Sequence, residues 1–265
     1  MHTLSAYIEG IGLLGPGLTG WPSNQAVLSG REPYQPHKTV LPAPALLPAA
    51  ERRRSGAIVK LALATGLEAI AAAGLDAASL PSVFSASGGD GENCHIICEM
   101  LASADRQISP TRFHNSVHNV AAGYWSIATG AMATSSVLCA FDASFGAGLL
   151  EALTQVVVDN TRTVFLACDT AYPEPLYSVR PIPDAFGIAL VLAPQRSAQA
   201  LAQITVSLTD AGADRLDDAA LEYLRMAIPA ARGLPLLRAI ALRQDKHVVL
   251  DYLDSTRLAV AIALC

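Results

Sequence analysis

Hydrophobic residues along the chain form short runs of strand length that alternate with longer stretches of helical periodicity. Apolar runs of about four to eight residues are typical of buried strands, and apolar residues three and four apart are typical of helices. Strands alternating with helices predict the α/β class. The predicted strands are 4–14, 81–87, 135–141, 162–168, 185–193, 202–208, 248–253 and 258–264, and the predicted helices are 21–30, 51–74, 92–104, 143–158 and 217–231.

The most informative feature is the junction at Asp142, between the strand 135–141 (SSVLCAF) and the helix 143–158. A residue at the start of a helix lies beside unpaired N–H groups and the positive end of the helix dipole. Positions of this kind hold nucleophiles or bound anions. We therefore expect the carboxylate of Asp142 to cap the N–H groups of the helix.

The segment 108–152 resembles the active-site region of β-ketoacyl (acyl carrier protein) synthases, which have the thiolase fold. Their signature there is roughly A-C-x-S-G-x-x-A-x-x-E-A, and Asp142 stands where they carry the nucleophilic cysteine. Ser144, Glu151 and Ala152 match the signature without gaps. Other residues that fall where synthases carry similar ones are Ile108, Ser109, Pro110, Asn119, Ala122, Gly123, Ile127 and Gly130.

The resemblance implies a thiolase-like α/β fold, truncated to roughly the N-terminal half of a ketosynthase plus a short C-terminal extension. It covers residues 1–208, a ketosynthase N-terminal-like core, and leaves a divergent segment, 209–265. We expect residues 1–265 to form a single domain. Synthases bring two catalytic histidines from their C-terminal half, whereas His247 is the only histidine beyond residue 208 here.

The missing cysteine has a direct chemical consequence. A condensing enzyme holds its acyl group as a thioester, which requires a thiolate. Asp142 cannot replace it, because an acylated carboxylate is a hydrolytically unstable anhydride. The sequence therefore predicts no catalytic residue and no activity from this chain alone. Cys139 is expected to lie inside the strand with its thiol pointing away from the junction, so a separate thiol enzyme is the less favoured interpretation.

Within the family, the chain resembles chain-length factors, which pair with an active ketosynthase in type II polyketide systems and also lack the cysteine. The resemblance implies a noncatalytic subunit of a heterodimer with a catalytic ketosynthase. Contact with the acyl carrier protein would occur mainly through that partner. Shortened members of this group belong to aryl polyene clusters, which implies a polyene or a fatty-acid-like product.

The resemblance also implies two sets of site residues. The strand before the nucleophile position would pair antiparallel with its equivalent in the partner, and long apolar edges require such covering. The segment 112–128 would line the far end of the partner's acyl tunnel and limit chain length sterically. The interface residues are Ser135, Ser136, Val137, Leu138, Cys139, Ala140 and Phe141, and the tunnel residues are Arg112, Phe113, Val117, Tyr124 and Trp125.

A serine hydrolase is the alternative. Residues 142–146 approach the G-x-S-x-G nucleophile elbow, with Ser144 as the nucleophile. Asp169 or Asp184, and then His247, follow in hydrolase order. The first glycine is missing and no oxyanion loop of the His-Gly-Gly type is visible, so this alternative is weaker than the synthase interpretation.

Composition narrows the class of partner. The net charge of −5 and the pI near 5.6 argue against a nucleic-acid surface. The charged fraction of 15% is low and the mean hydropathy of +0.36 is high, which indicates apolar surface for a protein partner. No apolar run approaches the roughly 18 residues of a membrane helix, and no basic region opens the chain. We expect a cytoplasmic protein without a membrane span.

Three motifs suggest cofactor or metal chemistry, but none is convincing. The glycines of 10–15 fit G-x-G-x-x-G, yet Pro16 and the glycines after it forbid the helix that a dinucleotide site needs. His114 and His118 are one helical turn apart if the segment is helical, and we favour polar packing for both. The five cysteines, including the pair Cys94 and Cys98, are expected to be reduced core residues. We therefore expect no metal and no cofactor.

A basic run, Arg52 to Arg54, opens the helix 51–74. The simpler interpretation is a solvated face. A docking patch for an acidic carrier protein is the alternative, because basic residues at a helix N-terminus oppose the dipole and need another reason to be there.

Overall fold

The apolar runs form one nine-stranded mixed sheet in the computed structural model, which describes residues 3–265. The strands are β1 (Leu4–Gly15), β2 (Leu18–Thr19), β3 (Ser82–Ser85), β4 (Ser135–Leu138), β5 (Thr163–Asp169), β6 (Phe186–Ala193), β7 (Ala202–Thr209), β8 (Lys246–Leu250) and β9 (Arg257–Leu264). Their order is β4-β3-β5-β6-β1-β7-β9-β8, and the short β2 pairs with β1. The strands β4 and β8 are therefore the two edges.

Ten α-helices accompany the sheet within the described residues. They are α1 (Trp21–Leu28), α2 (Ala49–Arg54), α3 (Ala57–Ala73), α4 (Gly91–Ala102), α5 (Pro110–His114), α6 (Val120–Thr129), α7 (Ser144–Asp159), α8 (Leu176–Val179), α9 (Ala219–Ala227) and α10 (Leu234–Ala241). Short 3-10 turns cover Phe141–Ala143 and Pro229–Gly233. The predicted α/β class is thus confirmed.

A helical layer covers each face of the sheet. On one face α3 packs against β1, β5 and β6, and α6 packs beside α3. On the other face α7 packs against β1, β3 and β5. The apolar residues of α1, α9 and α10 join the same core as α7. Because both faces are covered, β5 and β6 are buried along their whole length.

Two glycines in β1 let helix α3 approach the strand backbone. A Cβ atom added at Gly10 would lie 2.0 Å from the carbonyl oxygen of Ala69, and one at Gly12 would lie 1.9 Å from that of Thr65. The glycine motif 10–15 lies within β1, which continues to Gly15. Its glycines serve helix packing at this point, and no helix begins there within the described residues.

The helix predicted over 51–74 is in fact two helices. The backbone of Ser55 is extended, with ψ of 127°, and it separates α2 from α3. The apolar pattern predicts no element over 232–247, where the structure has α10. Pro235 lies in the first turn of α10, where its missing N–H costs no helical hydrogen bond.

The divergent segment 209–265 continues the sheet. Strand β9 pairs with β7 along its full length, from Ala202 with Leu264 to Thr209 with Arg257, and β8 pairs with β9. The 3-10 turn 229–233 and α10 return to the face that α7 covers. The segment therefore adds two strands to one edge of the sheet and also packs on α7, β5 and β6 through its 3-10 turn.

One helical stretch, Phe141–Asp159, is long and apolar enough to cross a membrane by length and composition alone. Half of it is buried against the rest of the protein. Burial on this scale is typical of a core helix, which is the role that its packing on the sheet assigns to α7.

Gly12→Ala should destabilise the protein by about 3 kcal/mol, because the new Cβ atom would collide with a backbone carbonyl that cannot move without shifting α3. Chemical denaturation measures the change. The matched control is Gly123→Ala in α6, where an added Cβ meets nothing within 4 Å. It should raise stability by about 0.5–1 kcal/mol through helix propensity. Equal stabilities for the two variants would contradict this account of the glycines.

Candidate functional site

The junction between β4 and α7 turns sharply at Phe141. Strand β4 ends at Leu138, three residues earlier than predicted, and the 3-10 turn Phe141–Ala143 leads into α7. Phe141 has a φ of +51°, in the left-handed region that residues other than glycine rarely adopt. Asp142 follows this strained residue directly.

The carboxylate of Asp142 binds two arginines. Nη2 of Arg180 donates to Oδ1 at 2.8 Å, and Nη2 of Arg232 lies 3.3 Å from Oδ2. The two arginine side chains are only 17% and 14% exposed, so Asp142 is their counter-charge. No side chain within residues 3–265 caps α7, and the prediction that Asp142 does so is wrong. Hydrogen bonds between ionised partners are stronger than those to neutral N–H groups, so the carboxylate pairs with the arginines and does not cap the helix.

Arg180 connects Asp142 to the strained turn. Its guanidinium carbon lies 3.6 Å from the centroid of the Phe141 ring, in cation–π geometry. Arg180 follows α8, and Arg232 lies in the C-terminal 3-10 turn. The cluster thus joins three parts of the chain that are distant in sequence.

Ser144 fixes the turn from inside and is not a free nucleophile. Its side chain is buried, and its Oγ donates to the carbonyl of Phe141 at 2.7 Å. The same Oγ accepts from the N–H of Ala140 at 3.0 Å. These backbone bonds hold the turn closed across its base.

The predicted hydrolase residues do not come together. His247 lies on β8, the sheet edge opposite β4. Asp184 accepts hydrogen bonds from the backbone N–H groups of Thr39 and Ala185. None of the hydrogen-bond partners of Ser144 within residues 3–265 is a histidine, so its hydroxyl has no general base there. The hydrolase alternative is therefore wrong on geometry.

Asp169 is a second carboxylate at the junction and is fully buried. It accepts from the N–H and Oγ of Ser87, at 2.8 and 2.6 Å, and from the N–H of Ala230 at 2.8 Å. Burial raises the pKa of this carboxyl, while the hydrogen bonds and the nearby charge of Arg180 act in the opposite direction. Asp169 ties the loop after β3 to the C-terminal 3-10 turn.

Cys139 lies just beyond β4 and is exposed, so the prediction of a thiol inside the strand is wrong. Its Sγ donates to the carbonyl oxygen of Ser87 at 3.0 Å. A nucleophilic thiol needs a base or a cationic group as its partner, and this partner is a carbonyl oxygen. The hydrogen bond therefore does not activate Cys139 as a nucleophile.

Of the other cysteines, Cys168 is buried as predicted, and burial raises its pKa to about 12. Cys94, Cys98 and Cys265 are exposed, so the assignment of all the cysteines to the core is wrong. Cys94 and Cys98 lie on α4, whose outer face is exposed, and an apolar sequence context did not reveal this.

The histidine pair is not on one helix. Helix α5 ends at His114, and His118 lies in the following turn, so the predicted helical spacing is wrong. The ring of His114 packs edge-on against Tyr124, with 6.3 Å between centroids. Among residues 3–265 no group of three or more His, Cys, Asp and Glu side chains is placed to hold a metal ion.

The predicted tunnel residues divide into two groups. Tyr124 and Trp125 are buried in the core, where Trp125 packs edge-on against Phe84 and the hydroxyl of Tyr124 bonds to Asn115. Their predicted place on a tunnel wall needs correction, because a helix presents its apolar face inward. Phe113 is 67% exposed. The exposed or half-buried group consists of Arg112, Phe113 and Val117.

The predicted interface strand is an open edge. The carbonyls of Thr134 and Leu138 accept from Ser82 and Ala86 on the β3 side. Backbone groups alternate in direction along a strand, so those of Ser135 and Val137 point away from the sheet. No strand within residues 3–265 pairs with this outer side of β4.

The comparisons with known proteins agree with this architecture. Residues 21–244 match the family model described as the N-terminal domain of β-ketoacyl synthase. No curated protein matches the chain in sequence. The predicted thiolase-like ketosynthase fold is confirmed by this match and by solved structures.

Three solved structures are similar over nearly their whole length. A chain in the complex of the ketosynthase ApeO with its chain length factor ApeC, from Xenorhabdus doucetiae, has a TM-score of 0.73 and 22% identity, covering 97% of this chain and 99% of that one. The AntDE:AntF complex, a type II PKS acyl-carrier protein with its ketosynthase, gives 0.73 and 10%, covering all of both chains. The ishigamide ketosynthase/chain length factor gives 0.67 and 14%, covering 98% and 99%.

Asp142→Asn should destabilise the protein by about 1–2 kcal/mol, because it leaves two largely buried guanidiniums without a counter-charge. The estimate lies below the value for a fully buried pair, since Asp142 is 44% exposed and partly screened. Denaturant titration measures the loss. Asp217→Asn is the control, because its pair with Arg238 is at the surface and should contribute less than about 0.5 kcal/mol. Similar losses in both variants would show that the Asp142 cluster is an ordinary surface ion pair.

Proposed function

The chain belongs to the β-ketoacyl synthase family, and from this membership we propose that it is a noncatalytic, chain-length-factor-like subunit. It would form a heterodimer with an active β-ketoacyl-acyl carrier protein synthase and shape the acyl tunnel of that partner. The observation that carries the proposal is the nucleophile position, where the carboxylate of Asp142 is bound to Arg180 and Arg232.

The chemistry of the site supports a noncatalytic role. Condensation requires a thiolate that can hold an acyl group. The thiol of Cys139 donates a hydrogen bond to a backbone carbonyl. The hydroxyl of Ser144 is buried and donates a hydrogen bond to the backbone as well. Neither group has a base that would activate it. The site keeps the shape of a nucleophile turn without a nucleophile.

A heterodimer explains this loss better than a homodimer. Two copies of this chain would together contain no activated thiol, whereas a relative that carries the cysteine supplies one. Chains of similar fold occur in solved complexes of a ketosynthase with its chain length factor. The open edge of β4 supports a partner with an edge strand of its own, and we assign residues 135–141 to that interface.

The role in chain length belongs to the exposed residues of the segment 112–128. We propose that Phe113 and Val117, with Arg112 beside them, face the partner and limit the space for the acyl chain. Tyr124 and Trp125 would contribute indirectly, because their buried side chains hold α6 against the core. The product would be a polyketide such as an aryl polyene, or a fatty-acid-like chain.

The acyl carrier protein would dock mainly on the partner. Arg53, Arg54 and Arg112 line a cavity of about 390 Å³, but Asp90 and Glu92 line it too and offset most of the positive charge. Arg52 is used elsewhere, since it donates to the carbonyls of Ala45 and Leu47.

We further propose that residues 1–265 act as one domain and that the complex is cytoplasmic.

The heterodimer can be tested by the native mass of the tagged protein from its own host. We expect a one-to-one complex with a cysteine-bearing ketosynthase. Val137→Pro should abolish it, because proline removes an outward N–H without breaking the bonds from β4 to β3. Val137→Thr keeps that N–H and should leave the complex intact. A monomer or homodimer of the unmodified chain would contradict the proposal.

Phe113→Ala should shift the products of the complex toward longer chains, because it removes an exposed ring from the proposed tunnel end. Mass spectrometry of the released products measures the distribution. Leu253→Ala is the control, since Leu253 is also exposed but lies in the turn between β8 and β9, outside the segment 112–128. An unchanged distribution in Phe113→Ala would remove this residue from the tunnel.

A further inference from the structure

Two large apolar side chains are exposed at the two ends of β4. Met132, in the turn that precedes the strand, is 95% exposed, and Phe141, in the turn that follows it, is 61% exposed. Between them lies the open edge with the outward backbone groups of Ser135 and Val137. Apolar residues that flank an unpaired strand in this way indicate a contact that extends past both of its ends.

The position of Phe141 is fixed before any partner binds. Its backbone stays in the left-handed region, with φ of +51°, although a non-glycine residue is strained there. Three interactions hold it: the Ser144 hydroxyl on its carbonyl, the Arg180 guanidinium on its ring, and the bond from Arg180 to Asp142. Asp142 is thus a positioning residue for an exposed aromatic ring. A side chain ordered in advance loses little entropy on binding, which is a property of interface anchors.

Antiparallel pairing with a partner of the same fold determines what this ring meets. If the two-fold axis passes at Val137, Leu138 at the end of β4 lies opposite the partner position that matches Ser136. If the axis passes at Ser136, Leu138 lies opposite the position that matches Thr134. In either register the chain leaves β4 beside the start of the partner's edge strand, which directs Phe141 to the partner's turn before that strand, and by symmetry directs the partner's turn after its strand to Met132.

We propose that Phe141 and Met132 form a reciprocal apolar clasp with the catalytic ketosynthase. Phe141 packs on the partner's turn that precedes its edge strand. Met132 packs against the partner's residue that comes immediately before the nucleophilic cysteine, because that residue matches Phe141. This inference rests on the proposed function and adds a direct contact between the noncatalytic subunit and the active-site elbow of its partner.

Site-specific photocrosslinking in the co-expressed complex tests the contact. A benzoylphenylalanine at position 132 should crosslink to the partner peptide that contains the nucleophilic cysteine, and one at position 141 to the peptide before the partner's edge strand. The control position is Tyr223 on α9, which is 56% exposed and should give no crosslink to the partner. Crosslinks from 132 and 141 to other partner peptides would overturn the clasp.

Binding measurements distinguish this inference from the proposed function. Phe141→Ala should weaken the complex by roughly thirtyfold, as expected for an aromatic anchor that becomes buried on binding, while the melting temperature of the free chain changes little. Phe141→Trp should retain most of the affinity, and Tyr223→Ala should retain all of it. An unchanged affinity in Phe141→Ala would overturn the clasp alone. Absence of a complex with the unmodified chain would overturn the proposed function as well.

Discussion

The ion pairing of Asp142 with Arg180 and Arg232 is the interaction on which the candidate site depends. Largely buried guanidiniums need a counter-charge, because an unpaired charge away from water is strongly destabilising. A carboxylate at the nucleophile position supplies it and so connects the turn before α7, the loop after α8 and the C-terminal 3-10 turn. The strained turn at Phe141 is present although the nucleophile that follows this turn in a synthase is absent here. Its retention indicates that its shape has a use of its own.

The C-terminal segment depends on the same region. Ala230 donates its N–H to the buried Asp169, and Arg232 binds Asp142, so the 3-10 turn 229–233 is held at two points. The same segment supplies β8 and β9 at the opposite edge of the sheet. It therefore packs across the face of the sheet that α7 covers, contacts the Asp142 cluster and also forms one edge of the sheet. The family match extends to residue 244, and the segment after β7 is in this way built into the packing of the synthase-like core.

Much of the fold could be predicted from the sequence, because apolar runs and helical periodicity are local. The central strands β5 and β6 and the long helix α7 are of this kind. The misses have physical reasons. Helix α10 is not predicted, because a proline inside an apolar run such as Pro235 usually indicates the end of an element. The first turn of a helix tolerates proline, and Pro235 lies in that turn. The arginines around Asp142 have no local signal, because Arg180 and Asp142 are 38 residues apart. The resemblance that implies a tunnel role for Trp125 also carries no information on which face of α6 is inward, and the structure buries this side chain in the core.

A single substitution would not return this chain to catalysis, and the reason lies in the surroundings of position 142. A cysteine there would lie beside Arg180 and Arg232, whose positive charges lower the pKa of a thiol. The resulting thiolate would form readily, but its nucleophilicity falls as its pKa falls. Condensation also needs donors for the developing oxyanion and enolate, and the histidine that follows the core, His247, lies at the far edge of the sheet. The surroundings that suit a carboxylate at position 142 thus do not suit a condensing thiolate, and under the proposed function the chain contributes through the surface that it presents to a catalytic relative.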